Sequence, residues 1–214
     1  MTQAYSRIFG SGFVVGEKTV PNELMAKVCD TTDEWIRERS GIQQRYFVDE
    51  GTSTSDLGAA AAKKALDDAG CAPSDIDYIV CATMTPDYYF PGIGSMVQAK
   101  LGMGNTPALD IRQQCSGFVY GMQVADALIR SGAAKRLLFI GAEVHTGFMP
   151  FSKQAWDVLM SKSTEPVAQA ERGGLLPRVR EPVDVDQFGG VVPVVHQQRE
   201  RPARVDRLEL RVVA

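Results

Sequence analysis

The sequence predicts an α/β fold built on a mostly parallel sheet. Three features carry that expectation. Strand-like and helix-like segments alternate from about residue 5 to residue 144. The run "IDYIVCATMT" is apolar without alternation, as in a strand covered on both faces. The helix-like segments begin at polar capping residues and end at glycines.

Residues 5 to 16 read as a strand bent or broken by Gly10, Gly12 and Gly16. "TTDEWIRERSG" reads as a short helix, with Thr31 and Glu34 at the spacing of a capping box and Gly41 at the C-cap. "IQQRYFV" follows as a short strand. "STSDLGAAAAKKALDDAG" is the clearest helix: Ser53 and Asp56 suit its start, Leu57, Ala61, Ala65, Leu66 and Ala69 share one face, and Gly70 ends it. After the apolar strand comes a proline and aromatic loop, "PDYYFPG". Then "SMVQAKLG" reads as a helix, "TPALDIRQ" as a strand, "SGFVYGMQVADALIRSG" as a helix and "KRLLFIGAEV" as a strand. On the second of these helices Phe118, Met122, Ala125, Leu128 and Ile129 fall on one apolar face.

From about residue 168 the character changes: Arg is frequent and Lys absent, and Val, Pro and Gly recur without a sustained helical period. "GGVVPVV" and "RLELRVV" fit short strands, while Pro177, Pro182, Pro193 and Pro202 interrupt anything longer. The expected organisation is a domain over residues 1–167 followed by a divergent tail over 168–214.

A net charge of -3 argues against a nucleic-acid or polybasic membrane binder. No stretch approaches the roughly 20 apolar residues of a transmembrane helix, and the first residues lack the pattern of a signal peptide. The expected location is the cytoplasm. Cys29, Cys71, Cys81 and Cys115 form no C-x-x-C pair, which argues against zinc and dithiol redox chemistry and for free thiols.

The segment "DIRQQCSGFVYGMQVADALIRSG", residues 110–132, sets Cys115 where a strand becomes a helix. Helix-start amides and the positive end of the helix dipole favour a thiolate there. Ser116 and Gly117 leave room around it. A fixed thiol beside fixed amides suits acyl transfer, because the tetrahedral oxyanion must meet preorganised donors. A buried cysteine in a helix-packing corner is the other reading of the same residues.

This segment resembles the active-site region of beta-ketoacyl-acyl-carrier-protein synthase III, of the thiolase superfamily. "TTDEWIRERSGI", "TSDLGAAAAKKALDDAG", "IDYIVCATMTPDYYFPG", "VQAKLG" and "LLFIGAEV" agree with that family in order and spacing, over roughly residues 5 to 167. The resemblance implies a thiolase-like α/β fold, of which the chain holds the N-terminal half of a duplicated whole. It implies an acyltransferase that starts fatty-acid synthesis: Cys115 takes an acyl group from acyl-CoA, and malonyl-acyl carrier protein then decarboxylates and attacks it. Acyl-CoA is a substrate, and no cofactor or metal is implied.

By the same resemblance Trp35 stacks on the CoA adenine and Arg39 contacts the nucleotide; a core anchor and a solvated charge are the alternatives. Phe90 matches an aromatic that lines the partner subunit's acyl pocket in a homodimer, against an ordinary loop anchor. The family's later His and Asn, which stabilise the charge of decarboxylation, have no clear counterpart here. His145 does not match the position, and His196, in "HQQR", follows Cys115 by only 81 residues (196 minus 115). Asn22 and Asn105 both precede Cys115. The competing expectation is therefore a catalytically incomplete relic or CoA-binding module.

Overall fold

The computed structural model describes residues 5–145 and 153–167, and residues 190–198 as a backbone strand. Five strands form one mixed sheet: β1 (Tyr5–Val14), β4 (Tyr78–Ala82), β5 (Ala108–Ile111), β6 (Arg136–Gly141) and β7 (Gly190–Gln198), in the order β1-β7-β6-β4-β5. β4 runs parallel to both β5 and β6, and β7 is antiparallel to its neighbours β6 and β1. β2 (Lys18–Pro21) and β3 (Gln44–Phe47) pair separately as a small antiparallel sheet.

Strand alternation sorts the core into two layers. Ile79 and Cys81 of β4, with Leu138 and Ile140 of β6, pack under α3 (Thr54–Ala69) and α4 (Ile93–Leu101). Val80 and Ala82, with Leu137 and Phe139, pack under α5 (Gly117–Ser131) on the opposite face. The unbroken apolar run in β4 has this cause: neither of its faces meets water.

The start of α3 is capped as its sequence predicts. Ser53 Oγ accepts from the Asp56 amide, and Asp56 Oδ2 accepts from the Ser53 amide at 2.9 Å. Gly70 closes the helix in the left-handed conformation. Lys100 of α4 bonds the Asp56 carboxylate, tying the two helices together. Bonds from Lys100 and Ser53 pull the Asp56 carboxyl down from its ordinary 3.8 to about 2.

Two local expectations are corrected. α2 (Asp33–Ser40) is capped by Thr32, whose Oγ1 accepts from the Trp35 amide at 3.1 Å. The Thr31–Glu34 box does not form, and Thr31 Oγ1 is buried without a hydrogen-bond partner. The second concerns α5. Its buried stripe is Gly117, Gly121, Ala125 and Ile129, while Met122 and Leu128 are half-buried and Phe118 is exposed. Close approach to the sheet selects the small residues: a Cβ at Gly117 would stand 3.2 Å from Ala82 Cβ, and one at Gly121 would overlap the Phe139 ring.

Two helices lack a clear sequence signal. α1 (Asn22–Val28) and α6 (Lys153–Leu159) close a third cluster, in which Val20, Val28, Phe47, Ala155, Val158 and Leu159 are buried. Phe47 and Trp156 meet edge to face with ring centres 6.0 Å apart. Asn22 pins this cluster to α2: its amide donates to Asp33 Oδ1 and to the Ile42 carbonyl, and its Oδ1 accepts from Arg45.

β7 contains all but the first glycine of the "GGVVPVV" run, that glycine lying outside the described residues, and lies within the sheet, between β1 and β6. Against β6 it keeps one register, with Leu138 opposite Val194 and Gly141 opposite Val191. Phe139 and Ile140, which that register sets opposite Pro193 and Val192, pair with β4 and have no ladder partner in β7. A proline has no N–H to give the ladder, and the gap falls where it sits. The "RLELRVV" run lies outside the described residues.

Gly121→Ala is expected to lower stability by about 1–3 kcal/mol, the usual cost of forcing an extra methyl into a packed face; urea unfolding followed by far-UV circular dichroism measures it. Ser53→Ala should cost about 1 kcal/mol through loss of the cap. The Asp56 contribution is fully present above its ordinary 3.8 and fades as pH falls toward 2. Stability measured across that window should decline less steeply in Asp56→Asn than in the unsubstituted chain.

Candidate functional site

The carboxyl ends of the parallel strands β4, β5 and β6 point one way, and the turns that follow them form one rim of the sheet. In open α/β sheets this rim is where ligands bind. The Thr83 amide donates to the Ile111 carbonyl at 3.1 Å, holding the end of β5 against the end of β4. The chain then makes a single 3-10 turn over Gln114–Ser116 before α5 begins.

Cys115 is the middle residue of that turn and is exposed. Gln114, just before it, sits at φ 44°, a left-handed conformation that a side chain bearing a Cβ adopts at some cost. No side chain caps the start of α5. The Ser116 amide donates to the Gln113 carbonyl at 3.1 Å and the Gly117 amide to the Gln114 carbonyl, so the turn itself takes up the donors that follow Cys115. The other three thiols differ. Cys29 and Cys71 are half-buried and Cys81 is fully buried. Burial pushes the Cys81 thiol well above its ordinary value, with the Asp110 carboxylate adding to the effect. Burial also raises Cys29, which the nearby Arg45 partly offsets.

Trp35 and Arg39 lie one turn apart on α2, and the guanidinium sits over the indole, 5.4 Å from the ring centre. The structure therefore brings these two together as one flat, cationic surface. Asn22 and the Arg37 guanidinium bond Asp33 at the start of the same helix and hold its carboxyl below the usual range. Phe90 stands on the loop between β4 and α4 and is 91% exposed, beside exposed Tyr88 and Tyr89.

The two histidines lie at opposite ends of β6. His145 follows β6, half-buried. His196 lies in β7 opposite Arg136, the first residue of β6. Its backbone is thus at the far end of the sheet from the Cys115 turn, about 16 Å along β6 at the usual strand rise.

Three carboxylates without a sequence signal organise the rim. Glu143 accepts from the Met84 amide at 2.8 Å and from the hydroxyls of Thr83 and Thr85. Asp87 accepts from the Ser55 amide and hydroxyl at the start of α3. Asp110 accepts from the Ile93 and Gly94 amides at the start of α4. A lone carboxylate in a loop or at a strand end reads as solvated charge until the fold shows which amides face it. Among the described residues no group of three or more His, Cys, Asp or Glu is placed to hold a metal, and no helix is long and apolar enough to cross a membrane.

Comparison with known proteins gives a consistent result. The family described as 3-oxoacyl-(acyl-carrier-protein) synthase III matches residues 109–162, which include the Cys115 turn and α5. A beta-ketoacyl-acyl-carrier-protein synthase III of Cereibacter sphaeroides is 51% identical over 150 residues, 70% of this chain and 46% of that protein. One from Ruegeria pomeroyi is 47% identical over 178 residues, 83% of this chain and 55% of its own length. The crystal structure of the synthase III from Aquifex aeolicus superposes with a TM-score of 0.68 at 32% identity, covering 91% of this chain and 55% of that one. The chain thus spans about half the length of the relatives it matches. By sequence and by its thiolase-like α/β fold, it belongs with the N-terminal portion of the beta-ketoacyl-acyl-carrier-protein synthase III family.

Proposed function

We propose that this chain carries the acyl-loading chemistry of a condensing enzyme that initiates fatty-acid synthesis. The Cys115 thiolate attacks the thioester carbonyl of an acyl-CoA. The carbonyl electrons move onto oxygen, and the tetrahedral intermediate collapses with loss of the CoA thiolate, leaving an acyl thioester on Cys115. The backbone amide of Cys115 itself is the donor nearest in sequence to the developing oxyanion. The observation that carries this reading is the exposed thiol in a fixed strand-to-helix turn, within the segment that matches the synthase III family.

Trp35 and Arg39 serve CoA in this reading. The indole offers a face to the adenine, and the guanidinium offers charge to phosphate or hydrogen bonds to ring edges. Malonyl-acyl carrier protein is the second substrate, and its decarboxylation supplies the carbanion that attacks the loaded acyl group. The chain works as a homodimer. β5 is an exposed edge strand, a ready template for pairing with a second copy, and Phe90, exposed on the loop before α4, serves the partner's acyl pocket in this reading. The cytoplasm is the compartment in which the Cys115 thiol stays reduced.

A second reading is favoured by one specific observation. The backbone of His196, in the "HQQR" tetrad, stands at the far end of the sheet from the Cys115 turn. On this reading the chain binds CoA, with or without accepting an acyl group, and does not condense.

Incubation with acetyl-CoA followed by intact-protein mass spectrometry is expected to show an acetyl adduct that Cys115→Ser abolishes; the absence of any adduct would leave the CoA-binding reading. Carbon dioxide release from malonyl-acyl carrier protein would show that decarboxylation is also present. Trp35→Ala is expected to weaken CoA binding by about 1–3 kcal/mol, the usual worth of a base stacked on an aromatic. Isothermal titration with CoA reads that change, and unaltered affinity would remove Trp35 from the site.

A further inference from the structure

We propose that Asp110 is a positioning residue that couples the aromatic loop 86–92 to the Cys115 turn, and so sets which acyl chains that cysteine accepts. The coupling stands on geometry alone; its consequence for acyl selection rests on the acyl-loading function proposed above.

Asp110 is the third residue of β5 and precedes Cys115 by five positions. Its two carboxylate oxygens accept from the first two amides of α4, Ile93 at 2.7 Å and Gly94 at 2.8 Å. The close fit requires glycines. A Cβ at Gly92 would overlap Asp110 Oδ2, and one at Gly94 would lie 2.7 Å from Oδ1. Gly92, the N-cap of α4, contributes no side chain of its own, so the cap comes from a different strand.

The same strand end touches the loop again. The Arg112 guanidinium lies over the Tyr89 ring, 5.6 Å from its centre. The other end of the loop is held by Asp87, which accepts from the Ser55 amide at 2.9 Å and from its hydroxyl. Three consecutive exposed aromatics, Tyr88, Tyr89 and Phe90, are thus carried on a segment clamped at both ends by carboxylates on helix-start amides. Only the Asp110 clamp sits on the chain that leads directly into the nucleophile turn. A displacement of the loop end that Asp110 holds is transmitted along Ile111–Gln114 to Cys115, and the reverse.

Asp110→Asn removes one of the two acceptor oxygens and the charge, leaving one α4 amide without its bond. The test uses the full chain and three readouts. Hydrogen exchange across 86–94 should accelerate about tenfold, while exchange in the buried strands β4 and β6 stays unchanged. Alkylation of Cys115 by iodoacetamide should change at least about threefold in rate. The ratio of acetyl to hexanoyl loading on Cys115 should shift at least about fivefold. Asp87→Asn is the contrast: it should loosen the loop and leave the alkylation rate unchanged.

Arg112→Gln, which breaks only a surface contact, should move loop exchange and alkylation in the same direction as Asp110→Asn by a smaller amount, and it keeps the test open if Asp110→Asn does not fold. In Asp110→Asn, faster loop exchange with an unchanged alkylation rate would overturn the coupling. Unchanged loop exchange would overturn it as well. If the unsubstituted chain accepts neither acyl group, the proposed function fails, while exchange and alkylation still decide the coupling. If loading occurs and its chain-length ratio is unmoved, the specificity role of Asp110 is refuted.

Discussion

The seating of α5 on the sheet is the constraint on which the rest of the structure depends. Gly117, Gly121, Ala125 and Ile129 make a narrow stripe that lies against Val80, Ala82, Leu137 and Phe139. Because the first two carry no side chain, the helix axis comes close to β4 and β6 at its N-terminal end, where position matters most. The turn holding Cys115 is the direct continuation of that end. A larger residue in the stripe would lift the helix start and move the turn with it, since an interior packed at near-crystalline density has no slack to absorb an added methyl.

A second layer of order is polar and lies at the strand ends. Glu143, Asp87 and Asp110 each gather backbone amides, the first two also hydroxyls, from segments distant in sequence. A charge-assisted hydrogen bond to a backbone amide is stronger than a neutral one and fixes direction as well as distance. Such bonds allow the rim to be built from loops and still hold its shape. The apolar layers locate the elements, and the carboxylates locate the connections between them.

The chain also presents apolar surface that its own described residues do not cover. Val119 is 71% exposed, with Phe118 and Tyr120 beside it on α5 and Leu109 on the edge strand β5. These residues flank the Cys115 turn. Contiguous exposed apolar area is characteristic of surfaces against which a further segment or body packs. β7, by contrast, closes the sheet from within: it lies between β1 and β6, so that β1 joins the sheet only through it.

Much of the fold was legible in the residues themselves. Ser53, Asp56 and Gly70 mark the ends of α3, and Gly41 marks the end of α2, because capping bonds and left-handed conformations are local and depend on residue type. The buried strand β4 showed itself as an unbroken apolar run. The Cys115 turn was readable because a thiol between a strand and a helix is a local pattern. Where competing hydroxyls were adjacent, local reading chose the wrong one: Thr32, one residue later, caps α2. Tertiary structure alone decided the rest. It selected the small stripe of α5 over the larger apolar one, placed β7 inside the sheet, sent His196 to the far end from Cys115, and gave Asp110 its amides. Those outcomes depend on which distant segments approach within a few ångströms, and a one-dimensional pattern holds residue types but not the distances between strands and helices that share no neighbours in the chain.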